Sequence, residues 1–315
     1  MSESMHKVNI LSNQTNANHV PGRKKAHNPP TPVFPIRNDP TLVQEYSPDI
    51  CNYFLQVERE LYSDRMYMTR QPEITERMRK VLIDWLTDVN IEFKNHSETF
   101  FLAVDIIDRF LSKREVSRGK LQLVGIAAML IAAKHEEVWP PSVRECVVVT
   151  ANTCSESELI KMECEIACEL RFRFTVPTLY PLACFLLSLK NYRPDIRDAC
   201  FMFLESATHS YIMLSYLPSR IAAACVLLGV ALVANNSNHH IKGYTLEYLW
   251  NYEISPFPYG ITLHEIRPVA LQLLTFTQKL CSVPSRLQAI RRKYLSPMFH
   301  GVASLEFPSP NFFLK

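Results

Sequence analysis

The sequence predicts an all-α chain built as two tandem helical repeats, and three observations carry that prediction. Glycine is scarce, seven residues among 315, while leucine and alanine abound, a composition that favours helices. From Tyr46 onward helical hydrophobic periodicity recurs with short linkers, and no segment of convincing length alternates with the period of a strand. Two segments, 121–133 (LQLVGIAAMLIAA) and 221–234 (IAAACVLLGVALVA), resemble each other. Each is apolar on every side and crowded with Ala and Gly. Such a helix is buried all round, and its small residues let neighbours approach its backbone. Each is preceded by two other helices and followed by about two more. Two repeats around two central helices, meeting near 174–177, is the economical reading; a chance likeness between alanine-rich helices is the other. The length, at roughly 150 residues per domain, also fits two units.

In chain order, residues 1–45 are rich in Asn, Pro, Ser and Thr, include Pro29-Pro30-Thr31-Pro32, and show no periodicity. They are expected to be a disordered tail. Within it Arg23-Lys24-Lys25 reads either as a nuclear-import signal or as a short solvated charge cluster. A helix over 48–62 and a lead-in to residue 75 come next. The first repeat, 76–176, is expected to hold helices at 76–93, 97–112, 117–134, 142–150 and 155–170. The second, 177–300, is expected to hold helices at 179–190, 195–212, 219–234, 245–251, 262–280 and 284–293, with 301–315 a C-terminal tail. Capping boxes mark three of the starts: Ser142 with Glu145 after Pro140-Pro141, Ser155 with Glu158, and Thr262 with Glu265. In each the hydroxyl takes an orphan N–H and the carboxylate reaches back to the cap.

Composition closes off several classes of function. Hydrophobic residues are 47% and charged residues 21%, ordinary globular values, and the net charge of +3 does not advertise a polyanion partner. No pair of glycines forms GxGxxG or GxxxxGK[ST], so no phosphate-cradling loop of the nucleotide-binding kind is expected. The nine cysteines stand singly without a CxxC, which reads as reduced thiols. Cys164 and Cys168 lack further ligands for a closed zinc site. His135-Glu136-Glu137 lacks the second histidine of HExxH, position 139 being Trp, and His239-His240 reads as a polar loop. No metal, cofactor or catalytic residue is expected. The N-terminus has no secretory h-region, and both long apolar runs fall short of the ~18 residues that span a bilayer, so a soluble intracellular protein is expected.

The segment 78–93 is the most informative. At about 100° per residue, Met78, Val81, Leu82, Trp85 and Val89 form one apolar stripe, and Arg79, Ile83, Leu86 and Phe93 form a second on another side. A helix packed on one core needs one stripe; either both are buried, or one is an exposed docking surface. Arg79 lies among apolar residues, where an unpaired guanidinium is costly, so it needs a carboxylate. The next helix offers Asp105 and Asp108, and Asp108 is expected to form the structural ion pair.

Here the sequence resembles the cyclin family. Residues 78–86 (MRKVLIDWL) resemble the opening of a cyclin box, and the likeness continues through TFFLAVDIIDRFL (99–111), RGKLQLVGIAA (118–128), Ala133-Lys134-His135-Glu136-Glu137 and Pro140-Pro141. Upstream, Asp49-Ile50, Tyr53, Glu58, Tyr67-Met68 and Gln71-Pro72-Glu73-Ile74-Thr75 resemble the lead-in of A- and B-type mitotic cyclins. Downstream, Pro218-Ser219 to Ala224 and AIRRKY (289–294) resemble the second cyclin fold. The resemblance implies two five-helix cyclin-box repeats behind an N-terminal helix, and a non-catalytic regulatory subunit that binds and activates a cyclin-dependent kinase. It implies kinase contacts at Lys134, Glu163, His135, Ile131, Ile50 and Tyr53. A terminal lysine on an apolar helix complements the macrodipole while staying within a partner's reach. The resemblance also implies a shallow patch for Arg-x-Leu-type docking motifs of substrates and inhibitors. There Met78, Leu82 and Trp85 would take the leucine, Asp88 would pair the motif's cation, and Gln122 would bond its backbone.

The chain departs from the family pattern in three places. His135 stands where mitotic cyclins usually carry Phe or Tyr, which bears on the preferred kinase. Asp88 is shorter than the usual glutamate. Residues 1–45 hold no RxxL-type destruction box and no Lys-Glu-Asn degron, and the RxxL strings at 79–82 and 118–121 fall in expected helices. A role in S phase or mitosis, mitosis ahead, with residence in nucleus and cytoplasm, is expected, without nucleic-acid or membrane binding. The competing reading, a cyclin-fold adaptor in transcription, would need phosphate-contacting Lys/Arg across the repeats, and here positive charge is dispersed.

Overall fold

The computed structural model describes residues 46–60, 63–237, 245–254, 260–283 and 285–314. The expected tail at 1–45 and His239-His240 lie outside them. Among the described residues are twelve α-helices and no strand. Helix α1 (Ser47–Glu60) leads into α2 (Glu76–Glu92), α3 (Ser97–Leu111), α4 (Leu121–Glu136), α5 (Val143–Val149) and α6 (Glu156–Glu169). A second set of five follows: α7 (Leu179–Ser188), α8 (Pro194–His209), α9 (Pro218–Asn235), α10 (Leu246–Tyr248, continued by a π-helical turn Leu249–Ile254) and α11 (Leu263–Leu280). Helix α12 (Ala289–Leu295) comes last. All three expected capping boxes form, at Ser142, Ser155 and Thr262.

The two similar apolar segments are the two hubs. Helices α2, α3, α5 and α6 pack on α4, while α7, α8, α11 and the π-helical turn pack on α9. Both hubs are buried almost end to end, which removes most methyls of the two segments from water. Closeness depends on single glycines. A Cβ at Gly229 would lie 2.9 Å from the Cys200 nitrogen and 2.9 Å from the Ile196 oxygen, both backbone atoms of α8.

Three expectations about extent are corrected. Helix α9 runs to 18 residues, longer than the apolar run inside it, and by length and composition it could cross a membrane. Its burial inside the repeat shows a core helix instead. Residues 301–314 are not a loose tail: Val302 and Phe313 are fully buried, and Phe307 packs edge-on against Phe203. The last helix starts at Ala289, five residues later than expected. Its cap, Gln288, offers no side-chain bond, and Asp84 of α2 accepts the Ala289 N–H from across the molecule.

Two buried acids join the elements. Glu58 of α1 accepts the Ser219 N–H and hydroxyl, each at 2.8 Å, at the start of α9, where a carboxylate complements the helix dipole. Burial raises the pKa of this carboxyl, against those hydrogen bonds and the nearby Arg220 charge. Asp108 of α3 is the second. Arg79 donates from Nε and Nη2 to its two oxygens at 2.6 Å, and from Nη1 to the Thr208 carbonyl in the second repeat at 2.9 Å. The Tyr67 hydroxyl donates to the same carboxylate. With Arg79 only 1% exposed, this cluster ties lead-in, first repeat and second repeat at one point. Asp105 pairs instead with Arg109, one turn away, and burial pushes its carboxyl up to about 6. All nine cysteines are free, and burial pushes the Cys51 and Cys146 thiols up to about 12, far from thiolate reactivity.

Candidate functional site: two protein-binding faces

The first face gathers at the C-terminal end of α4. That helix runs two residues past Lys134 before Glu137 leaves it. Glu137 is structural: its carboxylate accepts the His96 N–H and the Thr99 hydroxyl, closing the start of α3 onto the end of α4. Lys134 projects outward, 47% exposed, with Nζ 2.5 Å from Glu163 on α6. The pair leaves two ammonium protons and a second carboxylate oxygen for a partner, beside the partial negative charge of the α4 terminus.

His135 sits next to this pair. Its Nδ1 is 2.7 Å from Glu136 and its Nε2 3.3 Å from the Thr175 hydroxyl, so both ring nitrogens are engaged. Its ring meets Phe174 edge-on at 6.4 Å, and Phe174 meets Phe172 at 6.2 Å. Phe172 is 71% exposed, held out by consecutive left-handed residues, Arg171 (φ 53°) and Phe172 (φ 54°). Sequence reasoning missed it. The signal was the alternation Arg171-Phe172-Arg173-Phe174 just past a helix end, which no helical period explains.

Ile131 is corrected: at 5% exposure it packs in the core and supports the face from below. Ile50 and Tyr53 are exposed on α1, opposite the buried Cys51 and Glu58. Helix α1 rests on α7 and α9 of the second repeat, so these two side chains extend from a different part of the molecule than Lys134.

The second face is a groove between α2 and the start of α4. Met78 and Trp85 are half-buried along it, Val81 is 50% exposed, and Leu82 forms the floor. Leu82 lies on Gly125 of α4, where a Cβ would come within 2.7 Å of Leu82 Cδ1. The depth of the groove therefore depends on glycine. Gln122 lines the opposite wall and accepts a hydrogen bond from the Thr153 hydroxyl at 3.3 Å, which leaves its amide protons unengaged among the described residues. Of the two stripes of α2, the one containing Ile83 and Leu86 is buried, while in the other Val81 is exposed, Met78 and Trp85 are half-buried and Leu82 and Val89 are buried.

Asp88 is not free. Nη2 of Arg292 on α12 donates to both its oxygens at 2.7 Å, an exposed pair 204 residues apart in sequence. Asp88 belongs to an adjoining groove, which shares Trp85 with the first and is walled by Val89, Phe93, Val148 and Val149. Asp88, expected to pair a motif's cation, already has one on this chain: its short side chain reaches α12, which the cap on Ala289 holds against α2.

Two helical repeats around buried hubs carry an outward Lys/Glu pair on one side and an apolar groove on another. The model of the cyclin N-terminal domain matches residues 49–175 and that of the cyclin C-terminal domain residues 173–308. The chain belongs to the cyclin family. It is 37% identical over 259 residues to cyclin-B1-2 of Arabidopsis thaliana, covering 82% of this chain and 55% of that protein. It is 39% identical over 277 residues to cyclin-A1 of Mus musculus, covering 86% of this chain and 61% of that protein. The chain thus spans somewhat more than half the length of the curated relatives it matches. A solved viral cyclin from herpesvirus saimiri shares the fold, with a TM-score of 0.57 and 21% identity over 73% of this chain and 97% of that one.

Proposed function

We propose that this chain is the regulatory subunit of a cyclin-dependent Ser/Thr protein kinase, which it binds and activates in cell-cycle progression. The observation that carries the reading is the exposed Lys134/Glu163 pair at the end of a buried hub helix, flanked by His135, Phe174 and the projecting Phe172. Polar groups fixed in place beside apolar ones suit a partner helix presenting backbone and side-chain polar atoms at its start. The chain contributes no catalytic group. It holds the kinase's mobile αC helix inward, so that the kinase's glutamate pairs with its ATP-positioning lysine, and it helps the activation segment clear the cleft. Binding the active conformation more tightly than the inactive one shifts the kinase population by that difference in affinity.

Ile50 and Tyr53 widen the contact. Met78, Leu82 and Trp85 recruit substrates and inhibitors by seating the leucine of an Arg-x-Leu-type motif, with the Gln122 amide on its backbone. The complex acts in S phase or at mitosis, in nucleus and cytoplasm.

Changing Met78, Leu82 and Trp85 together to Ala should remove about 2–4 kcal/mol of docking energy, which is roughly 30-fold or more in affinity. With a cyclin-dependent kinase and two substrates, phosphorylation of the motif-bearing one should fall while that of a motif-free one stays. Loss of both activities with an unchanged melting curve would contradict the separation of the two faces.

A further inference from the structure

The docking groove carries charges that a basic motif does not explain. Arg292 binds both Asp88 oxygens through Nη2 alone, and its Nη1 and Nε have no partner among the described residues. It is 60% exposed, so those donors meet solvent beside Asp88, which lines the adjoining groove. Its position is fixed from both sides: Ala289 of the same helix donates to Asp84, and Lys293 pairs with Glu205 at 2.5 Å. At the other end, Arg77 and Arg118 line the groove with guanidiniums unpaired among the described residues. Glu73 accepts the Arg118 backbone N–H. Beyond Asp88 the adjoining groove is lined by Glu92, by Glu145, which stays anionic in its capping box, and by Arg144.

We infer that Arg292 inverts the charge preference of this surface, which takes a leucine-anchored segment with a carboxylate where an Arg-x-Leu motif has its arginine. The inference rests on the docking reading above. An arriving cation must first displace Arg292 from two hydrogen bonds. An arriving carboxylate meets the free Nη1 and Nε donors, which point in different directions and each offer one charge-assisted hydrogen bond, with Arg77 and Arg118 favouring further acids along the segment. These charges lie within a Debye length of a bound segment, so salt weakens but does not erase the preference.

The test is fluorescence polarisation with the full chain and four labelled peptides. Three are identical except for Arg, Glu or Ala two positions before the leucine; the fourth has that leucine changed to Ala. The Glu peptide should bind about threefold to fivefold tighter than the Arg peptide, the size of one exposed ion pair. In Arg292→Ala, and in the milder Arg292→Gln, the order should reverse because Asp88 is released. Leucine-dependent binding that favours the Arg peptide on the wild type overturns the inference alone, as does an order unchanged in both variants. No binding, or binding indifferent to the leucine, overturns the docking reading and the inference with it.

Discussion

Arg79→Ala is expected to lower the melting temperature by about 10 °C. The change deletes both hydrogen bonds to Asp108 and leaves the Thr208 carbonyl without its donor. What remains is a buried carboxylate with the Tyr67 hydroxyl as its one remaining partner in the cluster. Breaking a buried pair from one side costs about 3–5 kcal/mol, because the surviving charge stays desolvated. At about 2–4 °C per kcal/mol for a chain of this size, the shift is near 10 °C. Thermal denaturation followed by circular dichroism measures it. Replacing both partners, Arg79→Met with Asp108→Leu, should recover most of the loss, since no charge is then stranded. A shift under about 2 °C in Arg79→Ala would show that the pair does not hold the repeats together.

Gly229→Ala is expected to destabilise although alanine is the better helix former. Propensity alone would favour alanine by about 1 kcal/mol. The added Cβ would, however, meet two backbone atoms of α8 at 2.9 Å, and backbone cannot rotate aside as a side chain can. Overpacking of this kind costs about 1–3 kcal/mol and sometimes more, so the net fall in melting temperature should be about 2–6 °C. Gly119→Ala, where a Cβ would meet nothing within 4 Å, serves as the control and should be near neutral. A Gly229→Ala protein more stable than wild type would mean that α8 and α9 are less tightly apposed than described.

What could be read from the sequence was what depends on short range or on unavoidable cost. The hubs α4 and α9 were legible because a segment apolar on every side has nowhere to go but a core. The starts of α5, α6 and α11 were legible because a capping box is complete within four residues. Arg79 announced itself because a guanidinium in an apolar stripe demands a carboxylate, and the next helix held two. Lys134 and Glu163 were reached through the family resemblance, not through any local signal.

The features missed depend on distant partners. Nothing near Asp88 forecasts Arg292, and nothing near Ala289 forecasts that Asp84 will cap it. The packing of Val302 and Phe313 has the same origin, a core surface prepared elsewhere in the chain. Phe172 was missed for another reason: its exposure follows from two left-handed backbone positions occupied by residues that seldom adopt them. Backbone strain held in place beside a candidate interface is itself a pointer to function.

The central claim, that this chain activates a cyclin-dependent kinase through the α4/α6 face, is tested most directly by a kinase assay. Purified monomeric cyclin-dependent kinase is mixed with the wild type or with the Lys134→Ala/Glu163→Ala double variant, with co-elution measured in parallel. Strong activation by the wild type is expected, and the variant should fall short by about 30-fold or more, the loss of a hot-spot contact of 2 kcal/mol or greater. A wild type that neither activates nor co-elutes with the kinase, or a folded variant that activates as well as the wild type, would contradict it.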